Sequence, residues 1–350
     1  MSAGTVSVTE LEAARLLLAR MGISPADLLE QPTGKAVPTF AEYVPVVAAA
    51  VGDGTRRVYG SYWTKLVVQW GERRLDEPTP SEIEALAGRI RATAVLRRNA
   101  RGGRGAAEHL IAALRCLYRR AAADGLIPET CNPALRVAKP GRQPSTRRAV
   151  ADVRLAEINE VAASTGDDPV LDSLLLRLHT ETACRRGGAL ALRPIDLDAE
   201  QCLILLREKG GTVRWQPVSP TLMRHLRRHA EDRDAQEDGQ LLRYRSGRAI
   251  TRRRYDYLWA RIGRQLPWVA VQQISMHWLR HTTLTWVERA YGYGVAAAYA
   301  GHSGSRSEAG TTAQYVKAGL PEVATALQGL TGEPHPLAAA DGGGEMSPVQ

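Results

Sequence analysis

The sequence predicts a mainly α protein carrying a small antiparallel β-hairpin, divided into an all-helical domain and a mixed, mainly helical α+β domain. Composition is the first observation behind this: Ala and Leu are abundant, whereas Phe occurs once in 350 residues. Second, apolar residues recur at helical spacing in segment after segment. Third, one stretch departs from that spacing, CLILLREKGGTVRWQPV (202–218), where two β-rich runs flank a Gly-Gly turn. The length exceeds the ~100–200 residues of one domain, which points to two.

Taken in order, the first segment, 1–38, holds one amphipathic helix, LEAARLLLARMG, ended by Gly22, and reads as an arm or cap. Residues 39–138 contain four helical patterns, TFAEYVPVVAAAV, TRRVYGSYWTKLVVQWG, TPSEIEALAGRIRATAVLRR and GAAEHLIAALRCLYRRAAADG. In the third, Thr79 or Ser81 can cap the start, with Glu82 and Glu84 favourable in the first turn; in the fourth, Gly125 suits the C-terminal stop. The span 139–149 is rich in Pro, Gly and basic residues and lacks periodicity, as an exposed linker does. The second domain, 150–331, opens with helices at about Asp152–Thr165 and Pro169–Ala183, continues through the hairpin and returns to helix. The tail, 332–350, is polar and rich in Gly and Pro and is expected to be disordered.

The composition, 44% hydrophobic and 24% charged, is that of a soluble globular chain. No run of ~18 apolar residues and no export signal is evident, so a membrane protein is not indicated. Cys116, Cys131, Cys184 and Cys202 are scattered without a CxxC pair; reduced thiols in the cytoplasm are expected rather than a disulfide framework or a zinc knuckle. The net charge of +9 is concentrated, because Arg97 to Arg148 carries twelve basic residues against three acidic ones. Such clustering attracts a polyanion by displacing its counterions, and Arg97, Arg98, Arg101, Arg104, Arg142, Arg147 and Arg148 are candidate DNA phosphate contacts.

A second positive feature lies in HWLRHTTLTW (277–286). His277 and Arg280 fall on one helical face at i, i+3. His277 and His281 have the i, i+4 spacing of a zinc helix, but HWLRH lacks the Glu that would serve as general base, and Arg280 would repel a cation. An imidazole beside a guanidinium suits an anion needing a clamp and a proton shuttle. The same i, i+4 histidine spacing in MRHLRRHA, His225 and His229, reads as a basic solvated helix face.

With TACRRGGALALRPIDLD (182–198), AGHSG (300–304) and TTAQYVKA (311–318), HWLRH completes four motifs in an order that resembles the tyrosine recombinase/phage integrase family. The resemblance implies a helical core DNA-binding domain followed by the family's mixed α+β catalytic domain. It implies that Arg185 and Arg280 clamp the non-bridging oxygens of a scissile phosphate, and that Tyr315 is the nucleophile forming a 3′-phosphotyrosyl bond. Lys209, at the hairpin turn, would be the general acid towards the leaving 5′ oxygen; Arg207 and Arg214 flank it as candidate backbone-phosphate contacts. His277 would assist proton transfer, and His302 would hydrogen-bond the phosphate.

The same resemblance implies a site-specific recombinase that integrates, excises or resolves DNA without metal or other cofactor. It would work as a tetramer on duplex DNA through a Holliday junction, in the cytoplasm at the nucleoid. Accessory directionality or partner recombinase proteins are further candidate partners, and the helix PEVATALQGL (321–330) is a candidate for docking onto a neighbouring subunit. Three positions depart from the family pattern: Gly188 stands where an acidic residue often follows the first arginine, Ala183 replaces the usual glycine, and SRSEAG lengthens the His302–Tyr315 interval. Two other classes remain open on sequence grounds, a catalytically impaired DNA-binding protein of the same fold and a type IB topoisomerase-like enzyme relaxing DNA.

Overall fold

The computed structural model describes residues 8–22, 36–94, 103–140, 147–208, 211–301 and 318–338. Two compact units divide between Pro144 and Ser145.

In the first unit, helix α1 (Val8–Arg20) leaves Val8, Leu16 and Leu17 exposed. Helices α2 (Phe40–Ala50) and α4 (Pro80–Ala92) begin with the same device. Thr39 and Thr79 each accept a hydrogen bond from the backbone N–H three residues on, while Glu42 and Glu82 reach back to the cap N–H at 2.8 Å. Thr79, not Ser81, is therefore the cap. Helix α4 stops at Ala92, earlier than the expected run to Arg98: Thr93 leaves the helical dihedrals (φ −91°, ψ 0°) and the Ala94 N–H turns back to the Arg91 carbonyl, three residues earlier; residues 95–102 lie outside the described residues.

Between them, α3 (Asp53–Trp70) and α5 (Arg104–Ala123) complete a core around Phe40, Trp63, Leu66, Leu110, Leu114 and Tyr118. Each such side chain contributes about 1.5–3 kcal/mol by leaving water. Their polar ends are satisfied, Trp63 by the Ala113 carbonyl and Tyr118 by that of Leu75. Part of the basic segment is structural. Arg115 donates to the carbonyls of Ala134 and Val137, and Lys139 pairs with Glu108 at 3.2 Å.

The second unit opens with α6 (Asp152–Ser164) and α7 (Pro169–Thr182), which pack as a pair, followed by the short α8 (Arg186–Leu190). The expected hairpin is present as β2 (Leu203–Arg207) and β3 (Val213–Pro217), and β1 (Leu197–Asp198) adds a third antiparallel strand. The register sets Leu206 opposite Arg214 and Arg207 opposite Val213, so the chain leaves β2 at Glu208, whose N–H closes the turn on the Thr212 carbonyl.

After the sheet come α9 (Pro220–Asp232), α10 (Arg252–Gln265), α11 (Pro267–Gln272), α12 (Met276–Tyr299) and α13 (Leu320–Thr331). Leu174, Leu175, Ile204, Leu222, Leu258 and Leu279 belong to the large core that these elements enclose. Asp172, whose side chain is wholly buried, receives Arg254 and Arg261 at 2.7 Å and 2.5 Å and ties α7 to α10.

Two expectations need correction. His229 is not on a solvated face: it is 4% exposed, and its Nε2 accepts the Arg243 N–H. The tail is ordered as far as it is described. Gly332 turns the chain in the left-handed region, Glu333 then takes hydrogen bonds from Arg177 and the Thr221 N–H, and His335, 2% exposed, donates from Nε2 to the Cys202 carbonyl. These partners are remote in sequence, so composition could not reveal them; residues 339–350 lie outside the described residues. Helix α13, the candidate for docking onto a neighbouring subunit, packs Val323, Ala326 and Leu327 against Val287, Ala296 and Tyr299 within the single chain.

Candidate active site

Helix α7 ends at Thr182, and Ala183 takes up a left-handed backbone (φ 49°) whose N–H bonds the His179 carbonyl. Glycine is the usual residue in this conformation; here an alanine of 0% exposure fills it. The turn has two consequences. It brings Arg185 to the start of α8, and it directs the Ala183 carbonyl at Arg280, which donates to it through one guanidinium nitrogen. The other terminal nitrogen of Arg280 donates to the Ala300 carbonyl at 2.8 Å, so the 5%-exposed side chain joins the α7–α8 turn to the end of α12.

Sequence reasoning missed Glu208. Its side chain is wholly buried, and its carboxyl group receives both the backbone N–H of Arg185 at 2.6 Å and the Arg185 guanidinium at 2.9 Å. Arg214, on the facing strand, brings Nε to 3.8 Å from the same group and a terminal nitrogen to 3.5 Å from the Thr182 carbonyl. An acid immediately before Lys209 in an otherwise basic turn was the available signal, but its partner lies 23 residues back.

Two guanidiniums thus meet one acid, with that of Arg280 near enough to feel all three charges, and the cations outnumber the acid. Arg280 is pushed down to about 10, first by burial and then by Arg185, with Glu208 opposing. Burial likewise holds Arg214 below the usual arginine range. A site that disfavours its own cations is one that an incoming anion stabilises. His277, one helical turn before Arg280, is exposed, but partial desolvation and then Arg147 and Arg280 lower its pKa; the imidazole is therefore neutral near pH 7 and able to accept a proton. His281 faces Thr285 within the helix, its Nδ1 3.2 Å from the hydroxyl.

The remaining expected residues divide into several groups. Lys209, His302 and Tyr315 lie outside the described residues, as do Arg97, Arg98, Arg101 and Arg142. Arg104 and Arg148 are exposed, and so is Arg147, which also acts on His277. Arg207, expected at DNA phosphates, is bound bidentately by Asp196 at 2.5 Å and 2.7 Å. Arg214, expected in the same role, has a side chain only 11% exposed and belongs instead to the guanidinium cluster. Among the described residues there is no group of three or more His, Cys, Asp or Glu able to hold a metal ion, and no helix long and apolar enough to cross a membrane.

Known proteins resemble this chain. The model of the phage integrase family matches residues 152–318. The tyrosine recombinase XerD of Mycobacterium leprae (strain TN) is 30% identical over 203 residues, 51% of this chain and 60% of that protein. The chain thus spans less than two thirds of that relative's length. Among solved structures, a lambda integrase tetramer bound to a Holliday junction is similar with a TM-score of 0.58 at 14% identity, over 91% of this chain and 89% of that one. The Tn1549 transposon integrase in complex with circular intermediate DNA gives 0.60 at 18% identity, over 80% and 95%. At such identities these two likenesses concern the fold. Taken with the XerD relative, they lead to one assignment, made for the matched segment: residues 152–318 match the phage integrase family, and the fold is that of the lambda and Tn1549 integrases.

Proposed function

We propose that the protein is a site-specific DNA recombinase that cuts and rejoins duplex DNA through a 3′-phosphotyrosyl intermediate. The observation carrying this reading is the cluster of Arg185, Arg214 and Arg280 in a unit of recombinase fold, in which burial disfavours the charges of Arg214 and Arg280 until an anion arrives. In the proposed step the Tyr315 oxygen attacks phosphorus and the bond to the 5′ oxygen breaks. Arg185 and Arg280 hold the non-bridging oxygens and offset the charge of the pentacoordinate transition state. Lys209 protonates the leaving 5′ oxygen, while His277 and His302 assist proton transfer and phosphate binding. A phenol of ordinary pKa about 10 needs these neighbours to react near neutrality. The phosphotyrosyl ester keeps the energy of the cut bond, so a 5′ hydroxyl of a second strand can reverse the step.

The proposed partners are duplex DNA, engaged also by Arg104, Arg147 and Arg148 and by Arg97, Arg98, Arg101 and Arg142, and further copies of the chain in a tetramer, with accessory proteins setting direction. The proposed setting is the nucleoid.

The test is covalent capture. The full chain is incubated with a pool of randomised duplexes carrying a 5′-bridging phosphorothiolate, and SDS-stable adducts are recovered. Wild type is expected to yield an adduct and Tyr315→Phe none. No adduct with wild type, or an undiminished one with Tyr315→Phe, sinks the mechanism. A two-site recombination assay run beside supercoil relaxation then separates strand exchange from topoisomerase action.

A further inference from the structure

We infer that Glu208 is the positioning residue for Arg185, and that Gly188 is small so that the carboxyl group can reach it from the strand. The inference deepens the recombinase reading and rests on it.

Three observations converge on Glu208. Its carboxyl group binds Arg185 twice, Oε1 taking the backbone N–H at 2.6 Å and Oε2 the guanidinium at 2.9 Å. This two-point hold fixes the main chain at the start of α8 together with the side chain, which is 37% exposed and otherwise free to choose among rotamers. Second, the side chain of Glu208 is fully buried, with Arg214 at 3.8 Å as its other cationic neighbour. Third, a Cβ at Gly188 would stand 3.1 Å from Glu208 Cγ and 3.4 Å from Oε1, closer than ordinary contact, so a side chain there would require Glu208 to give way by a few tenths of an ångström beside Arg185. Gly188 has no positive φ that would call for glycine on conformational grounds. Its smallness therefore serves the space, and the space holds the acid.

The chain thus supplies from the end of β2 the acid that the residue three positions after Arg185 does not carry. Arg185 stands where the α7–α8 turn enters α8 and Glu208 at the end of β2, so the pairing links that turn to the β2–β3 hairpin. Positioning matters at this site, since a displacement of about 1 Å of a group clamping a transferring phosphoryl can cost about 100-fold in rate.

The experiment uses duplexes captured by the wild-type protein from the phosphorothiolate pool, and reads single-turnover adduct rate and DNA affinity separately. Glu208→Gln should lower the rate about 100-fold and leave affinity within about threefold, the mark of an interaction realised in the transition state. Glu208→Ala should do the same, and adding Gly188→Glu to it should recover at least about tenfold, because the carboxyl group returns from the vacated side. An unchanged rate in Glu208→Gln, an equal fall of rate and affinity, or no recovery in the relocated variant overturns the inference. If the wild type forms no adduct, the recombinase reading falls, and a urea cycle still decides the pairing: midpoint shifts of Glu208→Gln and Arg185→Gln that are non-additive support it, and additive shifts overturn it.

Discussion

Replacing Arg280 by alanine separates the catalytic from the structural share of a buried cation. Two hydrogen bonds are lost, to the Ala183 and Ala300 carbonyls, each about 1.5–3 kcal/mol for a charged donor. Together they favour the arginine by about 3–6 kcal/mol. Against this, the fall of Arg280 from 12.5 to about 10 means that the folded state disfavours its charge by about 3 kcal/mol. The residual cost of Arg280→Ala is then about 0–3 kcal/mol, which a domain of ordinary stability survives. Catalysis has no such offset: loss of a fixed cation at the transferring phosphate is expected to slow adduct formation by at least about 100-fold. The measurements are urea unfolding of wild type and variant, with adduct rate and DNA affinity on captured duplexes. A stability loss above about 5 kcal/mol would show that Arg280 chiefly holds the turn together. Equal losses of affinity and rate would show that it only binds DNA. Either result refutes the reasoning.

Asp172→Asn should cost about 3–5 kcal/mol in urea unfolding, because the buried Arg254 and the neighbouring Arg261 lose their shared counter-charge; a loss below about 1 kcal/mol would mean that Asp167 and the Asp168 carbonyl satisfy Arg254 without it. Acid should weaken the fold through His179 and His229, each lowered from 6.5 to about 4 by burial. The folded state keeps both neutral while the unfolded state protonates them, so their stabilisation is complete above pH 6.5 and is lost as pH falls towards 4. The expected loss is about 2 kcal/mol per histidine by pH 5, read as the shift in urea midpoint between pH 7 and pH 5. His179→Gln should remove about half of that slope, and an unchanged slope would exclude His179 as a source.

Sequence periodicity, caps and composition were enough to determine the fold class, the Thr39 and Thr79 helix starts, the hairpin and the shared face of His277 and Arg280, because each depends on residues within a few positions of one another. The order of four motifs was enough to suggest the family. Pairings across long intervals were decided by tertiary structure alone. Arg207 goes to Asp196 and Arg214 to the cluster, and His229 turns inward to Arg243. Residues 332–338, polar and Gly- and Pro-containing, fold back because Arg177, Thr221 and Cys202 present partners to them. Gly188 shows the division most clearly. In one dimension it is an acid missing beside Arg185; in three it is the space through which Glu208, from a distant strand, reaches the same guanidinium. Local pattern specifies which surface a residue presents, whereas the identity of a buried charge's partner depends on which elements pack together, and no local spacing encodes that.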